Sequence, residues 1–531
     1  MPYTFSVPGA QNPFDEDAKS IPTTLGPTVS PSCIPTAHPA RTLVLCFDGT
    51  GDQFDADNSN VVQFFSLLKK DDRRQQMVYY QAGIGTYTAP SIATPFAARL
   101  SKTLDEMIAC NLDSHVMDGY EFLMQNYEAG DKICIFGFSR GAYTARALAG
   151  MVHKVGLLPA CNHQQIPFAY KMYTRTSILG WKQSTLFKKT FSMDVDIEFI
   201  GVWDTVCSVG LFPRRLPFTA SNTSVKTFRH AVSLDERRAK FRANLYNRPQ
   251  KSDKKLGTQP GDMPKAGRGM DQAVVDGVDK CVGTSGESEV RSKEARPPPL
   301  EKKRRSSILS RFSSSSKRAE EERYAKEMER QFSEQEPQLE TNVLEVWFAG
   351  CHCDVGGGSV SNDTRHNLAR IPLRWMIRQC FLANTGIRFH AELLRGAGID
   401  PASLHPVVQE PPEPLYWSPT TTTPNSTVQG GWPTEEEEDL ADALSPIFDQ
   451  LSLKKGWWSL EYVPMRHRVQ LADDSWAMET RMNRGCGRII PLQEFGFNVH
   501  RSVKIRMEAE DLVGGKYVPR AKFDVEPTWV S

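Results

Sequence analysis

The stretch Lys132-Ile-Cys-Ile-Phe-Gly-Phe-Ser139-Arg-Gly141-Ala-Tyr-Thr-Ala-Arg146 decides the reading of this chain. Its first part is a short continuous apolar run, the pattern of a strand buried on both faces of a parallel sheet. From Ala142 to about Val155 the residues follow a helical pattern. Gly137-x-Ser139-x-Gly141 lies between the two, where the chain must turn sharply. A serine at the apex of such a turn is strained, so its neighbours must be small. The turn lifts the hydroxyl above the carboxyl ends of the strands, at the positive end of the new helix. The five-residue pattern recurs by chance in long chains; the flanking strand and helix give it weight. A serine that merely caps the helix is the competing reading.

Outward from this stretch, the same alternation repeats. Arg41–Phe47 reads as a buried strand ended by Asp48-Gly-Thr-Gly51, Asn60–Lys69 as a helix, Val78–Gln81 as a strand and about 100–125 as one long helix or two. Ile197–Trp203 and Val343–Phe348 are further strands, ending at Asp204 and near His352. Buried strands alternating with helices predict an α/β fold of the α/β-hydrolase type: a mostly parallel central sheet with helices on both faces.

The expected organisation is a flexible arm over 1–39, a catalytic domain over 40–248 and 341–405, and a C-terminal extension over 441–531 packed on it. Two segments break the pattern. Residues 249–340 hold Lys302-Lys-Arg-Arg-Ser-Ser307 and Ser313–Ser316, and read as a disordered, basic, Ser-rich insert with a short charged helix near 318–332. Residues 406–440 read as a low-complexity surface loop.

Composition bounds the function. Of the 531 residues 40% are hydrophobic and 24% charged, and the net charge of +1 argues against a nucleic-acid partner. No run of about 18 apolar residues occurs, so no span of a membrane is expected. The first residues lack the pattern of a secretory signal. Eleven cysteines, an odd number, sit partly inside apolar runs, as at Cys46 and Cys134. That usage predicts reduced thiols and an intracellular setting, cytoplasmic with a nuclear alternative.

A serine hydroxyl needs a base, and the base needs an acid to hold its tautomer. In hydrolases of this type the chain order is Ser, then Asp or Glu, then His. Asp204, directly after a strand, is the candidate acid; Asp235 reads as part of a charged helical stretch facing solvent. His352 is the candidate base, followed by the Gly-rich Asp354-Val-Gly-Gly-Gly358. His500 is its rival, His153 should point away on the helix after Ser139, and His230 reads as part of another helix. The oxyanion donors expected are the Arg140 N–H and either Gly49 or Thr50 on the loop that begins at Asp48. That loop is also the candidate substrate-binding element, able to cradle a phosphate head group. Strand-then-Asp-Gly-Thr also resembles haloacid-dehalogenase phosphatases, but Cys46 stands where they need a nucleophilic aspartate. Cys351-His-Cys-Asp354 has the wrong spacing to surround one zinc, so neither metal nor cofactor is expected. Trp457, Trp458, Tyr462, Phe495 and Phe497 suit either a lid and peripheral lipid contact or ordinary packing.

Five blocks carry a family resemblance: Leu45-Cys-Phe-Asp-Gly-Thr-Gly51, Tyr79-Tyr-Gln-Ala-Gly-Ile-Gly-Thr86, Gly137 to Arg146, Val202-Trp-Asp-Thr-Val206, and Trp347-Phe-Ala-Gly-Cys-His-Cys-Asp-Val-Gly-Gly-Gly358. In this order they resemble the catalytic domain of bacterial type VI secretion phospholipase effectors, found also in many fungal proteins and formerly designated a domain of unknown function. The resemblance implies an α/β-hydrolase acting on lipid or phospholipid esters. It also implies nucleophile, acid and base at Ser139, Asp204 and His352. The long insert between Asp204 and His352 departs from the family and points to a fungal, intracellular member. The reading from another class is a non-catalytic scaffold on the same fold, regulated through the basic insert. The sequence leaves the oligomeric state open.

Overall fold

The structure, a computed structural model, describes residues 31–83, 97–206, 216–246 apart from 223, 341–416, 432–470, 476–491, 496–522 apart from 511 and 513, and 525–531. The expected insert, including its charged helix, and Phe495 lie outside these residues, as does most of the Thr- and Pro-rich part of 406–440.

In chain order the principal elements are β1 (Cys33–Ile34), β2 (Thr42–Phe47), α1 (Asn60–Leu67), β3 (Gln76–Gln81), α2 (Ala97–Asn126), β4 (Lys132–Phe138), α3 (Ser139–Val155), α4 (Ile166–Thr174), α5 (Ile178–Phe191), β5 (Ile197–Trp203), β6 (Val225–Ser233) and β7 (Asn342–Phe348). Then follow α6 (His352–Gly356), α7 (Arg370–Leu382), β8 (Phe389–His390), α8 (Glu435–Ala443), β9 (Met465–Gln470), β10 (Trp476–Arg481), β11 (Asn498–His500), α9 (Arg501–Glu508) and β12 (Thr528–Val530). Eight strands form one sheet in the order β12-β11-β7-β6-β5-β4-β2-β3, every neighbouring pair parallel. Two short antiparallel pairs, β1 with β8 and β9 with β10, stand outside it.

Strand alternation makes the two cores. Leu43, Leu45 and Phe47 of β2 face one way and pack with Tyr120 of α2 and Leu148 of α3. Val44 and Cys46 face the other way and pack with Phe64 of α1 and Met376 of α7. A parallel sheet covered on both faces follows from strands that are apolar at every position. A third cluster, with Val232, Trp347, Phe497, Val499 and Val503, fastens β11 and α9 to the end of the sheet. Among the described residues no helix is long and apolar enough to cross a membrane.

Several expectations change. His230 lies in a strand, β6, not a helix. Asp235 is buried in the turn after β6 rather than facing solvent, where its carboxylate accepts from the Gly350 and Arg520 N–H groups and the Tyr517 hydroxyl. Glu435–Ala443 is a helix, not loop, because Thr434 caps it with Glu437 in a reciprocal pair and because Glu438 is buried against Arg365 and Arg370. The end of the N-terminal arm is ordered: β1 pairs with β8, and Cys33 and Ile34 are buried.

Candidate active site

Ser139 sits where β4 turns into α3, with φ of +57°, the left-handed region that L side chains avoid. The turn is possible because its neighbours are glycines. A Cβ on Gly137 would lie 2.6 Å from the Gly141 carbonyl oxygen, and one on Gly141 would lie 2.3 Å from the carbonyl oxygens of Phe47 and Asp48. The strain is therefore held by backbone packed against backbone. Asp204 ends β5, the neighbour of β4, and also has positive φ, +38°. His352 opens α6, just past β7. The parallel register sets these three carboxyl ends along one edge, with β6 between β5 and β7.

The three side chains meet there. His352 Nε2 is 2.8 Å from Ser139 Oγ, and His352 Nδ1 is 2.5 Å from Asp204 Oδ2. All three residues are buried. The imidazole is fixed by rings on two sides, Phe138 at 4.7 Å and Phe241 edge-on at 4.9 Å between centroids. Asp204 Oδ1 accepts from the Ser233 N–H at 2.9 Å. Arg488 also bonds the Asp204 carboxylate, reaching both of its oxygens. Burial alone would raise the Asp204 carboxyl, but the Arg488 charge and the His352 bond outweigh it and hold the group ionised far below the ordinary carboxylate range. Burial pushes His352 below its ordinary value, and Asp204 only partly offsets this.

His500, the rival base, is engaged elsewhere. Its Nδ1 pairs with the Ser502 hydroxyl at 2.9 Å, it caps α9, and its ring stacks on Phe348. Burial drives its pKa down to about 4. His230 orders the neighbourhood instead: Nε2 accepts from the Thr205 N–H and Nδ1 pairs with Glu345. His153 faces Phe218 from α3.

Arg140 lies in the first turn of α3, where N–H groups point out along the helix axis. The loop after β2 departs from expectation at two positions. The Gly49 N–H donates to Asp48 Oδ1 at 2.8 Å, so that donor is committed. Asp48 also accepts from Ser59 and Tyr80, which binds its carboxylate into the loop rather than toward a ligand. Thr50 Oγ1 is buried without a hydrogen-bond partner among the described residues. The loop is pinned from the other side, where the Gly83 N–H donates to the Asp52 carbonyl at 2.8 Å.

Sequence reasoning missed the residues around His352. Glu236 accepts from the His352 N–H at 3.3 Å and pairs with Arg238, whose guanidinium lies 3.5 Å over Phe241. Trp457 packs on Phe241, so the aromatic segment singled out above touches the site through one ring. Phe497 belongs to the third core cluster instead. Arg488, in Gly485-Cys-Gly-Arg488, was also missed. Its glycines signal a close backbone approach, but nothing in their spacing names Asp204 as the target.

A cavity of about 580 Å³ opens beside Cys353 and Asp354 and is lined further by Asn60, Arg370 and Trp432, but not by Ser139. Nearby, His366, Glu438 and Asp442 lie close enough together to share a metal ion. Arg370 and Arg374 stand 2.7 Å from those carboxylates, and Arg365 pairs with Glu438, so guanidinium groups fill the role a cation would have.

A serine on a strained strand-to-helix turn, over the carboxyl edge of a doubly covered parallel sheet, defines the α/β-hydrolase class. Within that class the particular family is also shown. The chain belongs to the family described as T6SS phospholipase effector Tle1-like, catalytic domain, which matches residues 41–379. An uncharacterized protein of Saccharomyces cerevisiae is 29% identical over 539 aligned residues, covering 86% of this chain and 78% of that one. A crystal structure of an uncharacterized Pseudomonas aeruginosa protein is similar at 17% identity, with a TM-score of 0.31, over 67% of this chain and 47% of that one. The Tle1 effector bound to the VgrG spike of the type 6 secretion system is similar at 17% identity, with a TM-score of 0.23, over 43% and 49%. The chain thus spans about half the length of these two solved proteins.

Proposed function

We propose that this protein is a serine ester hydrolase that cleaves carboxylic esters of lipids, phospholipids among them. Ser139 is the nucleophile, His352 the general base and Asp204 the acid that orients it. The observation that carries the reading is the unbroken relay from Asp204 Oδ2 through the two ring nitrogens of His352 to Ser139 Oγ. Membership in a family described by its phospholipase effectors supports the lipid class of substrate. The assembled relay also speaks against a scaffold without catalysis.

The proposed steps are as follows. Ser139 Oγ attacks the ester carbonyl carbon while His352 Nε2 takes its proton, and ionised Asp204 stabilises the imidazolium. The negative oxygen of the tetrahedral intermediate is held by the Arg140 N–H and by Thr50, whose hydroxyl has no other use among the described residues. The C–O bond then breaks, His352 protonates the leaving alcohol, and the acyl group stays on Ser139. Water, deprotonated by His352, attacks the acyl-enzyme and releases the acid. No step calls for a metal. Buried thiols at Cys46, Cys134, Cys351 and Cys380 support a reducing, intracellular setting.

Ser139→Ala should cut hydrolysis of p-nitrophenyl esters and of a lipid panel by on the order of 10⁴-fold or more while leaving the thermal midpoint near wild type. A fluorophosphonate probe should label the wild type at Ser139 and leave the variant unlabelled. Undiminished turnover by a folded Ser139→Ala would overturn the proposal.

A further inference from the structure

We infer that Arg488 is a positioning residue of this site: its guanidinium holds the Asp204 carboxylate in the plane that presents Oδ2 to His352. The inference rests on the triad reading above. It makes the C-terminal extension part of the site, since Arg488 lies beyond the segment that matches the family.

The contact is a fork. Nη1 donates to Asp204 Oδ1 at 2.5 Å and Nη2 donates to Oδ2 at 2.9 Å. A planar, two-point contact fixes both the position and the rotation of a carboxylate, which a lysine cannot do. The rest of the guanidinium is engaged as well. Nε and Nη2 donate to the Phe241 carbonyl, and Nη1 donates to the Ser233 carbonyl and hydroxyl. The fork is thereby anchored to the segment after β6 that also carries Phe241, the ring set edge-on against His352. Side-chain exposure is 5% for Arg488 and 0% for Asp204, so water does not loosen the pair.

The backbone of Arg488 is held equally firmly. Gly487 passes so close to Arg520 that a Cβ would lie 2.1 Å from the Arg520 carbonyl oxygen. The Lys522 N–H donates to the Arg488 carbonyl at 2.9 Å, and the Ile490 N–H donates to the Lys522 carbonyl at 3.1 Å. Two passes of the C-terminal extension therefore clamp the residue that clamps the acid.

The position also has a chemical consequence. In the imidazolium form of His352, Asp204 faces two cations at once, so it favours that form less than a carboxylate serving His352 alone. Among the described residues, the other charged or titratable groups near the pair include Glu236 and Arg238 after β6, His230 on β6 with Glu345 on β7 and Arg146 on α3, and the Cys351 and Cys353 thiols that flank His352. Arg488 is the one that touches Asp204 with both nitrogens of its fork.

The test uses the full chain, a soluble p-nitrophenyl ester, and Arg488→Gln and Arg488→Lys beside wild type and Ser139→Ala, with turnover normalised to the folded fraction from a denaturation curve. Arg488→Gln should lower kcat on the order of 100-fold with KM nearly unchanged, since a small misplacement near the chemistry has that effect. Its acid limb should also move to higher pH, because the pair then holds its proton more tightly. Arg488→Lys should lower kcat as well but keep the acid limb near its wild-type position, the charge being retained. A purely structural ion pair would lower the folded fraction while normalised kcat and the acid limb stay at wild type, and that result overturns the inference. If Arg488→Gln does not fold, Arg488→Lys decides by its normalised kcat: a loss supports the positioning role, and wild-type kcat per folded molecule overturns it. Ser139→Ala separates the claims: turnover in that variant sinks the triad itself, whereas a dead Ser139→Ala beside unaltered Arg488 variants sinks only the role of Arg488.

Discussion

As the proposed base, His352 can act only while neutral, so the acid side of the pH profile should report its titration. Burial lowers its pKa below the ordinary histidine value, and Asp204 recovers only part of the shift. The sign follows directly: kcat/KM rises as pH rises through the folded pKa, and because that pKa is depressed, the limb lies below about 6.5. Activity at pH 6.5 should therefore already exceed half of that at pH 7.5, and a limb centred above 7 would contradict this account of the site. At this scale the sequence was partly legible. Ser139, Asp204 and His352 each follow a buried strand, and their chain order is the one the proposed chemistry needs. Arg488 and Ser233 were not legible, because they act on Asp204 across 284 and 29 residues with no spacing rule to link them. Glu236 and Arg238 looked like ordinary charged residues; their pairing with each other beneath His352 is a property of the packed structure.

The strand-to-helix turn at the head of α3 is the element on which the proposed nucleophile depends. Gly141→Ala places a methyl group 2.3 Å from two backbone carbonyl oxygens, a clash no side-chain rotation relieves. The substitution should destabilise the fold by about 1–3 kcal/mol, as overpacking does, and lower kcat in the fraction that folds. A denaturant curve and turnover per folded molecule measure the two effects separately. Between α7 and α8 the stakes are electrostatic. Arg374 is buried against Asp439 and Asp442, each 2.7 Å away. Arg374→Ala leaves these carboxylates without their central cation and should lower stability by about 3–5 kcal/mol, readable as a shift in the denaturation midpoint. Neither helix contact was visible in Glu435–Glu438, which reads as a solvated acidic run until Arg365 and Arg370 are brought over Glu438. β6 was missed for a related reason. Lys226, Arg229 and His230 interrupt its apolar pattern, yet Arg229 is satisfied inside the fold by Gln379 and Asn342, and His230 by Thr205 and Glu345. β11 and β12, three residues each, are too short to show a period at all.

The whole molecule is a sheet whose chain is interrupted between β6 and β7 by residues 247–340, yet the two ends of that interruption come together. The Tyr246 hydroxyl and the Thr341 hydroxyl both donate to the Asn222 carbonyl, at 3.3 and 3.4 Å, and the Tyr246 N–H donates to Glu345 of β7 at 2.9 Å. The pairing of β6 with β7 runs from Thr227↔Asn342 to Ser233↔Phe348, so both ends are already in register without help from what lies between them. A short bridge can therefore replace the segment: a Gly/Ser linker of about ten residues spans up to about 33 Å. Loop closure by about ten residues instead of about ninety lowers the entropic penalty by about 2 kcal/mol. Replacing 250–339 with such a linker should preserve kcat/KM on a soluble ester and leave stability equal or up to about 2 kcal/mol higher, measured by denaturant unfolding. A variant that folds with wild-type stability but loses turnover would show instead that the segment reaches the proposed site at Ser139.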